Sequence, residues 1–432
     1  DLIRAELDEK FKPKPFEMGG TTIFGVMPDW NPAEIIGIRP KKLSLSLYKN
    51  LITNNTWAYQ RSNYGYFNMR GCPLLVDLWG SPYIDTRRSF NSFVPADVPK
   101  KLAQRLVDHY LLSLSRQPAL HDKVEFEIVL SCYPLDFMQR AKGLKSAGFT
   151  PTDIQILRTS LSKLTNALID FRSGVLSQDL ERLKTLERRF DAVKNSEMGN
   201  LDRVYWLLED CRRYGTLPFA GFARAGFVAV QLLDSLVTIG LLSEDRREEF
   251  FSSISTVSKQ FIIDQKCMPK ATFLRKYGHL RPGTYSIEES RYDENPDLYL
   301  SDKQGCYQGS HAKQVEFELT EPENIAITAR LKKEGFEVDA KQLFDFIKFG
   351  IEQREWSKFL FCRNVSEVLK ILEQIGSSFG FSRYELAYCD VEVIIQSFFS
   401  VRDLGINLKN SIDMGMKEYK ESCSLNLPSL IM

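Results

Sequence analysis

The sequence predicts an α+β protein in which a mixed α/β module is mounted on a mainly helical body, with helix well in excess of strand. Three observations predict it. From Pro151 onward, apolar residues recur at alternating steps of three and four, the period of amphipathic helices. Before residue 150, short β-rich and helix-like runs alternate with Gly, Pro and Asn turn signals. A chain of 432 residues with 43% apolar side chains can bury one large core or a few smaller ones. The charges nearly cancel, 57 Lys+Arg against 56 Asp+Glu, so no global field draws the chain to nucleic acid or to anionic membrane; neither partner is expected.

Residues 1–19 alternate charges and pass through Lys12-Pro13-Lys14-Pro15, which reads as a linker from an upstream domain. The module spans 20–150. Thr21 to Met27 is a short β-rich run, ended by Pro28-Asp29-Trp30-Asn31-Pro32, where Asn31 can cap a turn starting at Pro32. Ser44 to Ile52 reads as helix. Between Thr56 and Phe67, aromatics alternate with polar residues in a pattern suited to a pocket wall. Val98 to Leu114 is helical by period. Val124, Phe126, Ile128 and Leu130 alternate with Glu125, Glu127, Val129 and Ser131, which predicts a strand with Glu125 and Glu127 together on one face.

In the body, Ile154, Leu157, Leu161, Leu164, Leu168 and Phe171 define one helix and Leu176 to Phe190 a second. Residues 181–213 carry eight basic and seven acidic residues in mixed order, a solvated helical face. Further helices are expected at 201–214, 223–241 and 244–263, which completes a bundle over 151–276. Residues 277–322 are rich in Gly, Pro and Tyr without a period, a functional or mobile loop region. Helical patterns resume over 323–432.

Eight cysteines are scattered singly and no two of the four histidines stand at metal-ligand spacing. Reduced, buried thiols, a cytoplasmic location and no structural metal are therefore expected. The apolar stretch from Ala225 to Leu242 is interrupted by Gln231, Asp234 and Ser235 and reads as a buried helix rather than a bilayer crossing.

No phosphate-loop, dinucleotide, zinc-protease or nucleophile-elbow motif occurs, so no ATP site is expected in this chain. Ser310-His311-Ala312 has the look of a phosphohistidine segment, but charged and alternating residues follow it where an apolar helix should supply amides, and it reads as a decoy. The most specific stretch is Tyr277-Gly278-His279-Leu280-Arg281-Pro282-Gly283-Thr284-Tyr285, followed by Arg291-Tyr292-Asp293-Glu294. It gathers an imidazole, guanidiniums and phenols around glycines, groups suited to a phosphoryl or carboxylate ligand.

That stretch, together with Pro28-Asp29-Trp30-Asn31-Pro32-Ala33-Glu34 and Ser89-Phe90-Asn91-Ser92-Phe93, resembles the central region of phosphoenolpyruvate-synthase-like phosphotransferases, closest to the L-glutamine kinases of capsular phosphoramidate biosynthesis. The resemblance implies an enzyme in three parts. An ATP-grasp domain, holding ATP and Mg2+, passes phosphate to a histidine on a swivelling domain, which carries it to an acceptor domain. This chain would be the acceptor domain, without cofactor and inactive alone, and the whole enzyme would phosphorylate the amide nitrogen of L-glutamine. A different small acceptor on the same architecture, or a non-catalytic docking scaffold for the other two domains, are the alternatives.

The chemistry of such an acceptor asks for a guanidinium at the α-carboxylate, an acid at the α-ammonium and amide-matching groups at the side chain. Arg61, Arg70, Arg87, Arg88 and Arg281 are candidates for the carboxylate or the phosphoryl group, and Asp29, Glu125 and Glu127 for the ammonium. Asn91 and Ser92 match the carboxamide, with Tyr285 beside them as a further binding residue. Glu125 and His279 are the candidate proton acceptors. Gln353 to Lys358, with Arg363 further on, resembles a basic helix of this superfamily; Arg354 and Lys358, four apart, share one face that would meet the phosphorylated swivelling domain, or else Arg354 pairs locally with Glu355 or neighbours.

Overall fold

The structure, a computed structural model, describes residues 2–300, 316–399 and 403–432. Helix far exceeds strand, and the strands form one four-stranded antiparallel sheet in the order β2-β3-β1-β4. Its members are β1 (Phe24–Gly25), β2 (Leu75–Leu78), β3 (Ser81–Asp85) and β4 (Leu430–Ile431). Of the β-rich run 21–27, only Phe24 and Gly25 find ladder partners, Asp85 and Ile84 on one side, Ile431 and Leu430 on the other. The β2–β3 hairpin turns through Trp79 (φ 50) and Gly80 (φ 82), both left-handed, as a two-residue turn matched to strand twist requires. Asp77 Oδ1 accepts the Gly80 N–H at 2.7 Å and helps hold Trp79 in a conformation few bulky residues adopt.

The expected helices form where the period placed them, with local differences. Lys42–Tyr48 continues into a π-turn over Lys49–Thr53. The aromatic stretch is helical over Thr56–Asn63, and Lys100–Arg116 follows the apolar period. Pro151–Ile169 starts on a reciprocal cap: Asp153 N donates to Thr150 Oγ1 at 3.1 Å and Thr150 N donates back to Asp153 Oδ2 at 2.9 Å. Residues 244–263 split into Glu244–Ser253 and Val257–Cys267, because Thr256 caps a new helix by accepting from Lys259 N.

The strand expected at 124–130 does not exist. Val124–Ile128 is a π-helical turn that buries Val124, Glu125 and Ile128. No neighbouring strand offers it a ladder, and alternation without a partner does not hold a strand. Glu125 and Glu127 therefore part company, Glu125 turning inward at 5% exposure and Glu127 facing solvent.

At the centre lies the helix Leu217–Thr238, packed chiefly on the 39-residue helix Ala340–Ser378. Small residues allow the crossing: a Cβ on Gly350 would meet the Ala225 carbonyl oxygen at 3.2 Å. One continuous apolar core runs from Met18 through Ile412, so the module and the helical body share it. The stretch 200–238 is apolar enough by length and composition to cross a membrane, but 72% of its apolar window is buried in the fold. That face is already used by core packing.

The segment expected as a linker is tied down. Arg87 Nη1 donates to the Phe11 carbonyl at 2.8 Å, and Asn91 both accepts from Met18 N at 2.9 Å and donates to the Met18 carbonyl at 2.8 Å. The Ser310-His311-Ala312 segment lies outside the described residues.

Candidate functional site

The stretch from Tyr277 to Glu294 folds back on itself. Tyr292 N donates to the Leu280 carbonyl at 3.0 Å and Asp293 N to the Gly278 carbonyl at 3.1 Å, which lays the Arg-Tyr-Asp-Glu arm over Gly278-His279-Leu280. Only glycine fits at 278: a Cβ there would stand 2.3 Å from the Leu274 carbonyl oxygen and 2.8 Å from Asp293 Cβ. The folded arm is fastened to the long helix by two arginines. Arg281 Nε donates to Ser366 Oγ at 3.2 Å, and Arg291 grips Asp293 through two bonds of 2.8 and 2.6 Å while reaching Glu367 at 3.0 Å. Burial works against the charge of Arg291, but Asp293 and Glu367 outweigh it and raise its pKa; Arg281, with Glu294 only at 3.8 Å, is pulled down to about 10 by burial.

Between this arm, the end of helix Val175–Lys194 and the helix Lys270–Tyr277 opens a cleft of about 500 Å³, in the size range of small-ligand sites. Its charged lining is Lys194, Arg275, Arg291 and Arg363 against Asp293 and Glu367. Both acids are already engaged by Arg291. Arg363 is not engaged: its Nε and Nη2 are buried without a hydrogen-bond partner, and Asp191 and Glu187 act on it only from beyond ion-pair range. Its guanidinium lies 4.2 Å over the Phe190 ring, which fixes its plane and leaves the in-plane N–H groups for another partner.

His279 completes the lining at 9% exposure, its Nε2 buried and unpartnered. Its ring stands edge-on to Phe359 at 4.7 Å. Burial first, and the nearby charge of Arg363 second, push its pKa down to about 4, so at neutral pH it is an uncharged imidazole.

The other residues expected at a site lie elsewhere, in two braces. In the first, Asp29, held at φ 58, accepts from Arg61 Nη2 at 2.9 Å and from Ser89 Oγ at 2.7 Å, while Arg61 Nη1 reaches Ser92 Oγ at 3.2 Å. Phe93 lies between Arg61 and Arg224, 4.0 and 5.0 Å from its ring centre, and Arg224 is paired with Glu125. Asp29, Arg61 and Ser92 are thus brought together and bond one another, and Glu125 joins the same buried network through Arg224 and Ser131. In the second brace, Glu17 holds Arg87 at 3.3 Å and Arg88 at 2.8 Å, with Asp85 beneath both. Arg87, Arg88 and Asn91 bind the chain's own segment 11–18, and of the Arg87 donors only Nε, itself buried, lacks a partner. Arg70 is at the surface, bonded to Asn63 at 2.6 Å. Glu127 is exposed, and the Tyr285 hydroxyl is buried beside Tyr48, outside the cleft.

Sequence reasoning did not select Arg363, Lys194, Arg275 or Glu367 as site residues. One signal was present: Arg363 interrupts the apolar run Phe359-Leu360-Phe361-Cys362 on a helix whose neighbouring turns are core.

No family model matches the chain. Over 95 residues, 22% of its length, it is 32% identical to the asparagine–tRNA ligases of Histophilus somni strains 2336 and 129Pt. The match spans 17% of the length of those relatives, too small a part of either protein to place the chain in their family.

Proposed function

We propose that this chain is the acceptor-binding domain of an ATP-dependent phosphotransferase that relays phosphate through a histidine, and that its acceptor is the amide nitrogen of L-glutamine. ATP, Mg2+ and the phosphohistidine belong to separate ATP-grasp and swivelling domains, and the whole works in the cytoplasm. One observation carries the reading: the loop whose sequence resembles this family lines a cleft where an uncompensated guanidinium and a neutral imidazole stand together. In the reaction, the bond from phosphorus to the donor histidine breaks and a bond from phosphorus to the amide nitrogen forms. The amide proton passes to His279 Nε2, which is free to accept it. Arg363 neutralises the oxygens of the phosphoryl group or of the α-carboxylate. An amide nitrogen is a feeble nucleophile, so alignment within about 3 to 3.5 Å matters more here than strong acid or base chemistry.

The test is calorimetric titration and thermal unfolding of the chain with L-glutamine, using L-glutamate, L-asparagine and D-glutamine as controls. Selective stabilisation by L-glutamine, about 2.7 kcal/mol at a hundredfold excess over Kd, supports the reading. Binding of a control in its place names another acceptor, and no binding by any of them refutes the amino-acid acceptor and leaves a scaffold.

A further inference from the structure

The buried guanidiniums of this protein provide an internal comparison. Arg61 is paired with Asp29, Arg87 with Glu17, Arg224 with Glu125, Arg281 with Glu294 and Arg291 with Asp293 and Glu367. Among the described residues, Arg363 forms no ion pair; it is half-buried against Phe190, and two of its nitrogens, Nε and Nη2, are buried without a partner. A buried charge is ordinarily paired, because leaving water without a counter-ion is costly. Among the described residues no carboxylate supplies that counter-ion. The cleft mouth points the same way: Lys194 and Arg275 are exposed on its lining and form no ion pair among the described residues, Arg275 bonding only Thr272 Oγ1 at 3.2 Å.

We infer that the cleft is an oxyanion subsite that takes a phosphate-class group on its own, without the amino acid, with the half-buried Arg363 as the inner anchor and Lys194 and Arg275 as the rim. Three cations converge there while both lining acids are held by Arg291, and that excess suits a tetrahedral dianion better than a single carboxylate. The inference deepens the proposed function and rests on it only for naming the anion as the phosphoryl group in transit.

Calorimetric titration of the whole chain with inorganic phosphate tests it, with sulfate and acetate as separate arms and no amino acid present. Phosphate and sulfate should bind, acetate at least about tenfold more weakly, and Arg363→Gln should weaken phosphate by at least about tenfold, the effect of losing one charge-assisted contact. The exposed pair Lys194→Gln with Arg275→Gln should weaken it several-fold and flatten its salt dependence, which gives a readout even where the Arg363 variant does not fold. Absence of phosphate binding to the native chain overturns the inference, as does undiminished binding by the rim variant or by a folded Arg363→Gln. Acetate binding as well as phosphate reassigns the subsite to the carboxylate of the acceptor. Glutamine binding without phosphate binding defeats the inference and spares the function; phosphate binding without glutamine does the reverse.

Discussion

Glu125→Gln separates the two roles that the carboxylate of Glu125 can have. Glu125 is 5% exposed and pairs with Arg224, whose side chain is 2% exposed; Ser131 Oγ donates to the same carboxylate oxygen at 3.3 Å. Arg224 already has an unpartnered Nε and stands across Phe93 from a second guanidinium, Arg61, whose pKa burial lowers and Arg224 depresses further. Removing the negative charge leaves two buried cations with Asp29 as the nearest counter-ion, so the loss is that of breaking a buried pair, about 3 to 5 kcal/mol. Replacing both partners, as Glu125→Gln with Arg224→Met, removes the stranded charge and should recover at least about 2 kcal/mol of that loss. Urea unfolding followed by circular dichroism measures both variants, with the slope checked for constancy. Binding of phosphate by the folded fraction should not change, because Glu125 does not line the cleft. A loss below about 1 kcal/mol in the single variant, or a double variant as unstable as the sum of its parts, would refute the buried-pair argument; impaired ligand binding in a stable Glu125→Gln protein would restore Glu125 to the site.

His279 makes stability depend on pH in a defined window. Its folded pKa of about 4 lies below the ordinary 6.5, so its contribution is complete above pH 6.5 and is lost as pH falls through 4, when the unfolded chain takes up the proton first. The shift corresponds to about 3 kcal/mol, and the stability difference between native protein and His279→Gln should shrink by that order between pH 7 and pH 4; a difference that stays constant contradicts the burial argument. Gly278→Ala should cost about 1 to 3 kcal/mol, because its Cβ meets backbone at 2.3 Å, and should weaken phosphate binding by displacing Asp293 and the arm that carries it. Unchanged melting and unchanged phosphate affinity in that variant would mean the loop does not fold back as described.

Much of the helical body was legible because its signal is local and repeated. Ile154, Leu157, Leu161 and Leu168 recur with the helical period, and each is buried. The strand expected at 124–130 failed because alternation of four apolar residues is compatible with any segment having one inner side, while a strand also needs an edge to pair with. Glu125 is the residue where this matters, since its inward turn depends on Arg224, 99 positions away. The cleft was half legible. His279 and Arg291 announced themselves by composition, whereas Arg363 looked like any arginine of an amphipathic helix. Whether it was paired depended on which acids the fold brought near it, and that is a property of tertiary distance alone. Asp29, Arg61 and Ser92 stand together, though each was expected at a separate part of the ligand. What the sequence could not reveal is that they satisfy one another.

That difference decides which of the two polar clusters can serve a ligand. An incoming carboxylate at Arg61 would have to displace Asp29, which would then be left buried, charged and within the same network as Glu125. Its binding energy would be set against the loss of an existing pair, and the left-handed backbone at Asp29 would lose the two bonds from Arg61 and Ser89 that hold it. At Arg363 the balance runs the other way. The penalty of burying the guanidinium is already incurred in the empty protein, so an anion entering the cleft relieves it and displaces no carboxylate. The module's brace is therefore already satisfied within the protein, and of the two clusters it is the cleft between the loop and the long helix that an anion could enter without breaking an existing pair.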